Sequence, residues 1–332
     1  MPVSTITPPI KPHQRALPLK VGTRGSPLAR TQTATFLGLL EQFCPVLRNM
    51  SPVFEEHIIV TTGDAVQHRS LAEIGGKGLF AKEIHESLAA GRIDFAVHSL
   101  KDLETVLPPG ITLACTLKRE DARDVLVLPP GHAPVDPANP FAVLPRGAKI
   151  GSASVRRQAQ LKHARPDLEF SLLRGNVGTR LAKIEAGELD ATLLAYAGLR
   201  RLGLADKASA VLSPEQMVPS ACQGIIGITV RSDDVELLQM LAAIEDPEAK
   251  AVAIAERALL GALDGSCRTP IGGYARLLAA DGSLHLTGLV ARADGSFLLR
   301  RSVTGRVADA EIMGRELGLS LKADSPGDIF AP

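Results

Sequence analysis

From Leu19 onward the chain repeats one order: an apolar strand, a turn rich in Gly and Ser, then an amphipathic helix. That alternation normally builds a sheet with parallel strands covered by helices on both faces, so it predicts an α/β architecture. In the first unit Lys20-Val21-Gly22-Thr23 ends a strand. Ser26 can cap the next helix and Pro27 suits its first turn, where a missing N–H costs nothing. Phe80, Ile84 and Leu88 mark one face of a second helix, which Gly91 stops before a strand from Ile93 to Val97.

The two halves echo each other. Ala90-Gly91-Arg92-Ile93-Asp94-Phe95-Ala96-Val97 shares its helix-stop-then-strand pattern with Ala186-Gly187-Glu188-Leu189-Asp190-Ala191-Thr192-Leu193. Val21-Gly22-Thr23 followed by Ser26, Arg30 and Gln32 is matched by Ile150-Gly151-Ser152 followed by Ser154, Arg157 and Gln158, at a different spacing. Two related α/β lobes account for both echoes, with chance the competitor because helix-stop glycines are common. Six prolines between Pro129 and Pro145 make that stretch a surface loop. After Asp246 the pattern changes: a helical run from Glu248 to Leu263 precedes strand-like stretches at Tyr274–Leu278, Leu284–Ala291 and Phe297–Val303, and a final helix follows Val307. This reads as a small α+β domain.

Composition excludes several functions. No apolar run approaches the roughly 18–20 residues that cross a bilayer, so no membrane span is expected. A net charge of +1 leaves the molecule as a whole without the field that gathers nucleic acid, and no Trp with 3% aromatic residues leaves few stacking platforms for bases. Cys44, Cys115, Cys222 and Cys267 lie far apart with no C-x-x-C pair, which argues against zinc and a disulfide framework and for a reducing, cytoplasmic setting. Residues 1–20, with five prolines and no acid, read as a flexible tail, an organellar transit peptide being the alternative.

Arginine is concentrated in two turns between strand and helix, Ser154-Val155-Arg156-Arg157-Gln158 and Arg174-Gly175-Asn176-Val177-Gly178-Thr179-Arg180. Strand exits and helix N-termini are where α/β sheets bind anions, and the guanidinium fork matches carboxylate or phosphate. Solvated surface charges are the plainer alternative. Lys77 in Gly75-Gly76-Lys77-Gly78 lacks the following Ser or Thr of a nucleotide-binding P-loop. Ala96-Val97-His98-Ser99-Leu100-Lys101-Asp102 carries an apolar strand into polar side chains, and Asp102 beside Lys101 is suited to stabilising a developing positive charge or simply to tying down a loop. Cys267 sits in the glycine-flanked loop Gly265-Ser266-Cys267-Arg268, where an exposed thiol could act as a nucleophile.

Seven stretches, taken in order, resemble the hydroxymethylbilane synthase (porphobilinogen deaminase) family. They begin at Thr23-Arg24-Gly25-Ser26-Pro27, Gly75-Gly76-Lys77-Gly78, Ala96-Val97-His98-Ser99-Leu100-Lys101-Asp102 and Arg119-Glu120-Asp121-Ala122-Arg123-Asp124. Gly151-Ser152-Ala153-Ser154-Val155-Arg156-Arg157, Arg174-Gly175-Asn176-Val177-Gly178-Thr179-Arg180 and Gly265-Ser266-Cys267-Arg268-Thr269-Pro270 complete the set. The resemblance implies two periplasmic-binding-protein-like lobes plus a small α+β C-terminal domain, in a monomer. The expected division is a tail at 1–19, a discontinuous first lobe at 20–117 and 224–242, a second lobe at 123–218 and the cysteine-bearing domain at 247–330.

It further implies a transferase that condenses four porphobilinogens head to tail into hydroxymethylbilane with release of four ammonias, in porphyrin and heme biosynthesis. Cys267 would hold a dipyrromethane cofactor through a thioether, and Asp102 would be the catalytic carboxylate. Lys101, Arg156, Arg157, Arg174, Arg180 and Ser154 would bind cofactor and substrate carboxylates, with Arg24, Ser26, Lys77 and Ser99 as further contacts; no metal is implied. Three positions depart from the family pattern: Glu104 in place of a proline, Cys222 in place of a small non-thiol residue, and Glu73 where a basic residue can occur. The rival readings are a non-enzymatic two-lobed solute-binding protein and a phosphoribosyl-type transferase, and neither predicts a covalent pyrrole.

Overall fold

Strand β1 (Leu19–Thr23) buries Leu19, Val21 and Thr23 and pairs in parallel with β2 (Phe54–Ile58) and β3 (Phe95–Ser99). The chain is described by a computed structural model at residues 17–43, 53–66, 78–264 and 269–330. With β4 (Ile111–Thr116) and β10 (Ile226–Arg231) the first sheet has the order β2-β1-β3-β10-β4, and β10 runs antiparallel to both its neighbours. A second sheet is built from β5 (Asp124–Val127), β6 (Lys149–Gly151), β7 (Glu169–Ser171), β8 (Ala191–Ala195) and β9 (Ala210–Val211) in the order β7-β6-β8-β5-β9. Here β5 is the antiparallel member. The two sheets thus share one plan: three parallel strands, then an antiparallel strand delivered from the other lobe. Position for position β1 matches β6 and β3 matches β8, so both sequence echoes fall on topologically equivalent places.

Two segments cross between the lobes, after β4 and before β10. They are bonded to each other, Leu117 N–H donating to the Ile226 carbonyl and Glu120 N–H to the Gly224 carbonyl, each at 3.0 Å. Only glycine fits at Gly224, where φ is +89° and a Cβ would lie 2.3 Å from the Glu120 carbonyl oxygen.

Helix α1 (Pro27–Phe43) begins as its sequence predicts, with Ser26 Oγ accepting from the Ala29 N–H at 3.3 Å. It buries Phe36 edge-on against Phe95 of β3. Helix α2 (Lys82–Ala89) buries Ile84 and Leu88, but Phe80 stands in the turn before it. The expected three-residue face is therefore two residues long. Phe80 instead lies under the Arg24 guanidinium, whose carbon is 4.2 Å from the ring centre. The strand expected from Ile93 starts at Phe95. The second lobe carries α3 (Val155–Ala164), α4 (Val177–Glu185) and α5 (Tyr196–Arg201); α6 (Val235–Ala242) follows β10. The proline-rich stretch forms turns without strand or helix, and Arg165 pins it by donating to the carbonyls of Phe141 and Leu144.

The third sheet pairs β11 (Ile271–Leu277), β12 (Leu284–Ala291) and β13 (Leu298–Gly305) antiparallel, under α7 (Pro247–Ala262) and α8 (Ala310–Ala323). Asp246 caps α7 by accepting from the Ala249 N–H at 2.8 Å, with Pro247 in the first turn. The two helices nearly touch: a Cβ on Gly314 of α8 would sit 2.2 Å from the Ala255 carbonyl oxygen of α7. Leu259, Leu284, Leu286 and Leu321 are fully buried in this core, each contributing about 1.5–3 kcal/mol of transfer free energy. Among the described residues no helix is long and apolar enough to cross a membrane.

Candidate active site

Because β1, β3, β6, β7 and β8 are parallel within their lobes, their carboxyl ends open on common ground, and a cleft of about 500 Å³ lies there. The first lobe lines it with Arg24, Ser26, Gln32, Asp64, Phe80, His98, Ser99, Lys101 and Asp102. The second contributes Arg157, Arg174, Asn176, Gly178 and Arg180.

Asp102 ends a short 3₁₀ turn, Leu100–Asp102, directly after β3. Its carboxylate has no hydrogen bond or ion pair to any described residue. Its charge nevertheless acts on Arg24 and Lys101 from its own lobe and on Arg180 from the other. A lone carboxylate ringed by cations can respond to a positive charge that appears beside it without first breaking a bond of its own.

The cations are unevenly paired. Arg24 clasps Asp64 through two bonds, Nε to Oδ2 at 3.0 Å and Nη2 to Oδ1 at 2.5 Å, and Thr61 Oγ1 adds a third bond to Asp64 at 2.7 Å. Burial opposes the charge on Arg24, but the Asp64 bond and the charges of Asp102 and Asp64 outweigh it and raise its pKa. Arg180 is driven the other way, down to about 10, by burial first and then by Arg157 and Arg174. Burial also lowers Arg174, and Lys101 falls to about 8. Crowded, partly desolvated cations of this kind are stabilised by an incoming anion. Arg180 is held by its Nε donating to the Gly175 carbonyl at 2.9 Å, and Lys101 by its Nζ donating to Gln223 Oε1 at 3.2 Å.

Helix α4 aims its N-terminus at the cleft. Asn176 caps it, accepting from the Thr179 N–H at 2.9 Å, and Val177 and Gly178 line the wall. Such a first turn offers N–H groups to an anion.

Not every expected contact faces this space. Arg156 and Ser154 do not line the cleft. Arg156 is buried, and its Nη1 donates to Asp124 Oδ2 at 2.7 Å and to the Val218 carbonyl at 2.6 Å. Ser154 caps α3, its Oγ accepting from the Arg157 N–H. Arg157 also binds Asp124, through Nε and Nη2 to Oδ1, yet keeps a side on the cleft. Ser99 and Gln32 bond each other, Gln32 Nε2 donating to Ser99 Oγ at 2.9 Å. Lys77, Glu73 and Cys267 lie outside the described residues.

Asp124, Gln223, Asp64, Gln32 and Phe80 are site residues that the sequence does not single out as such. Asp124 had a visible signal, an acid opening the apolar run Val125-Leu126-Val127. The others acquire significance only from partners far along the chain.

Two other details complete the surroundings. His98 bonds Thr229 Oγ1 at 2.9 Å and lies against His85, with ring centres 5.3 Å apart. The departing Glu104 carboxylate is 3.6 Å from His85 Nδ1, and its carbonyl is bound by Arg257.

Two α/β lobes with strand exits facing across a cationic cleft, and one carboxylate within it that is unpaired among the described residues, define a two-lobed α/β protein suited to anionic ligands. The porphobilinogen deaminase dipyromethane cofactor binding domain matches residues 19–239, and the porphobilinogen deaminase C-terminal domain matches residues 250–323. The porphobilinogen deaminase of Syntrophobacter fumaroxidans is 43% identical over 303 residues, covering 91% of this chain and 94% of the relative. The chloroplastic enzyme of rice is 44% identical over 315 residues, covering 94% and 85%. A solved ancestral arginine-binding protein bound to arginine covers 70% of this chain and 95% of its own at 15% identity and a TM-score of 0.38. The chain belongs to the porphobilinogen deaminase family, the transferases that build hydroxymethylbilane from porphobilinogen in tetrapyrrole biosynthesis.

Proposed function

We propose that the cleft holds a dipyrromethane primer, joined by a thioether to Cys267, and extends it by four porphobilinogens with Asp102 as the catalytic carboxylate. The observation that carries this reading is the lone Asp102 carboxylate among Arg24, Lys101 and Arg180. The chemistry of the donor set fits the group: every pyrrole of primer and substrate carries an acetate and a propionate, and the cleft supplies cations from both lobes and the first turn of α4. When bound, the primer supplies the nucleophilic pyrrole carbon at which the chain grows.

The protein's own residues do the rest. Lys101, Arg24, Arg157, Arg174 and Arg180 bind carboxylates and so hold substrate in line. Ser26 and Ser99 add hydroxyl donors at the first lobe's rim, and Lys77 is assigned to the same task by the motif it shares with the family. Arg156 and Ser154, expected to touch ligand, act here through Asp124 and the start of α3. As each C–N bond breaks and ammonia leaves, positive charge develops on the substrate's pyrrole, and Asp102 stabilises it. Asp102 then accepts the ring proton displaced when the new C–C bond forms, and returns it to solvent with the ammonia. Four such steps and one final addition of water balance to one hydroxymethylbilane and four ammonias. A net charge of +1 argues against nucleic acid partners, the lack of a long apolar run against a membrane span and the widely spaced cysteines for a cytoplasmic setting, while the monomeric state is what the family resemblance implies.

The test is the intact mass of the purified protein with peptide mapping. Expected is an excess equal to two porphobilinogens less two ammonias, carried on Cys267 and missing from Cys267→Ser. Failure to acquire that mass after incubation with porphobilinogen or hydroxymethylbilane would overturn the reading of a covalently held primer.

A further inference from the structure

Gln223 lies on the segment that returns the chain from the second lobe to the first, and it is 1% exposed. Its side-chain amide is used at both ends. Nε2 donates to Asp124 Oδ1 at 2.9 Å and to the Ala122 carbonyl at 2.7 Å, while Oε1 accepts from Lys101 Nζ at 3.2 Å. Asp124 opens a strand of the second lobe and Lys101 leaves a strand of the first, so one side chain joins the two sheets.

The amide's orientation is dictated by its neighbours. A carboxylate and a backbone carbonyl only accept hydrogen bonds, so the NH₂ group must face them and the oxygen must face Lys101. Asp124 is itself immobile: it is fully buried and accepts from Arg156 Nη1, Arg157 Nε and Arg157 Nη2. The backbone around Gln223 is equally constrained. Cys222 has φ +61° and Gly224 φ +89°, and the Gln223 carbonyl accepts from Arg119 Nε at 2.9 Å.

We propose that Gln223 is the positioning residue through which the buried Asp124 carboxylate of the second lobe holds the Lys101 ammonium of the first in place for a pyrrole carboxylate. The inference rests on the reading of Lys101 as a ligand-binding cation. It makes Asp124 a common anchor, bonded directly to Arg157 and through Gln223 to Lys101. The cations on the two walls of the cleft then keep one spacing, because both are referred to the same carboxylate.

The charges acting on Lys101 are those of Asp102 and Asp124, which favour its protonated form, and of Arg157 and Arg156, which oppose it. Burial is the largest influence and brings it to about 8. The Gln223 oxygen is the neutral dipole that faces the ammonium directly. Its loss would lower that value further, and a carboxylate in its place would raise it.

Kinetics of Gln223→Met and Gln223→Glu test this across about pH 6 to 10, with folding checked by circular dichroism and primer content by mass. Gln223→Met, similar in size and without polar atoms, is expected to raise KM for porphobilinogen about tenfold while kcat changes less than about threefold. The alkaline rise in KM should move to lower pH in Gln223→Met and to higher pH in Gln223→Glu. A folded, primer-loaded Gln223→Met with the parent's KM and pH profile would overturn the proposal. Lys101→Met separates the two ideas. A parental KM in that variant removes the role of Lys101 and the bridge with it, whereas a raised KM there beside a parental Gln223→Met refutes the bridge alone.

Discussion

Arg174 of the second lobe donates a 3.0 Å hydrogen bond from Nη2 to the carbonyl oxygen of Gly63 in the first, so a cation assigned to substrate also ties the walls of the cleft together. Gly63 sits in the helical turn Thr62–Ala65 beside Asp64, the partner of Arg24. Arg174→Met removes the cross-cleft bond and a carboxylate ligand at once. Hydrogen bonds to charged groups are worth about 1.5–3 kcal/mol, so KM for porphobilinogen is expected to rise at least about tenfold and the unfolding midpoint to fall. Steady-state kinetics and urea titration together check this; an unaltered KM would remove Arg174 from the binding set.

Asp102→Ala is expected to fold and to keep its primer, since Asp102 bonds no described residue. Turnover should fall by about 10²–10⁴, the usual contribution of a positioned acid–base group. Rapid-quench measurement of ammonia release reads this directly, and ordinary turnover would overturn the assignment.

Asp124→Asn should be costly to stability. Two arginines would lose their counter-charge inside the protein, a loss of about 3–5 kcal/mol for a broken buried pair. Burial alone would raise the Asp124 pKa, but Arg156 and Arg157 hold it well below the carboxylate range. Its stabilisation is therefore complete above the unfolded value of about 3.9 and drains away as pH falls below it. Urea midpoints of parent and variant should differ widely at neutral pH and converge in acid, with the same slope against denaturant.

His85 and His98 make the fold acid-sensitive at higher pH. Burial pushes His85 down to about 4 and His98 to about 3, the latter with added repulsion from His85 and Arg24. Unfolded imidazoles bind a proton below about 6.5 while these stay neutral, so stability is full above that pH. As pH falls it is lost by up to about 1.4 kcal/mol per pH unit for each ring, until the folded values are reached. His85→Gln should reduce the slope of stability against pH between about 6 and 4; an unchanged slope would show that His85 titrates normally.

Much of the local design could be read directly. Ser26 and Pro27 open α1, and Ile84 and Leu88 face the core. The third domain's strands begin within three residues of where the apolar pattern puts them, as with Ile271 against Tyr274. Phe80 and Arg156 show where that reading stops. Phe80 continues the helical spacing of Ile84 and Leu88, yet its ring is taken by Arg24 at the cleft. Arg156 and Arg157 are adjacent and chemically identical, yet only Arg157 reaches the cleft, because the first turn of α3 points its neighbour at Val218.

By itself the sequence determined the strand–turn–helix order, the two echoing lobes, the cationic turns at strand exits and the family motifs, because these depend on periodicity, capping and residue type within a few positions. Only the tertiary structure decided which cations share a cleft, which are spent on Asp124, and that Gln223 spans from Asp124 to Lys101. Those relations join residues from about thirty to more than a hundred positions apart, and the longest of them are created by the chain crossing twice between lobes. No local pattern encodes which buried acceptor a side chain will meet.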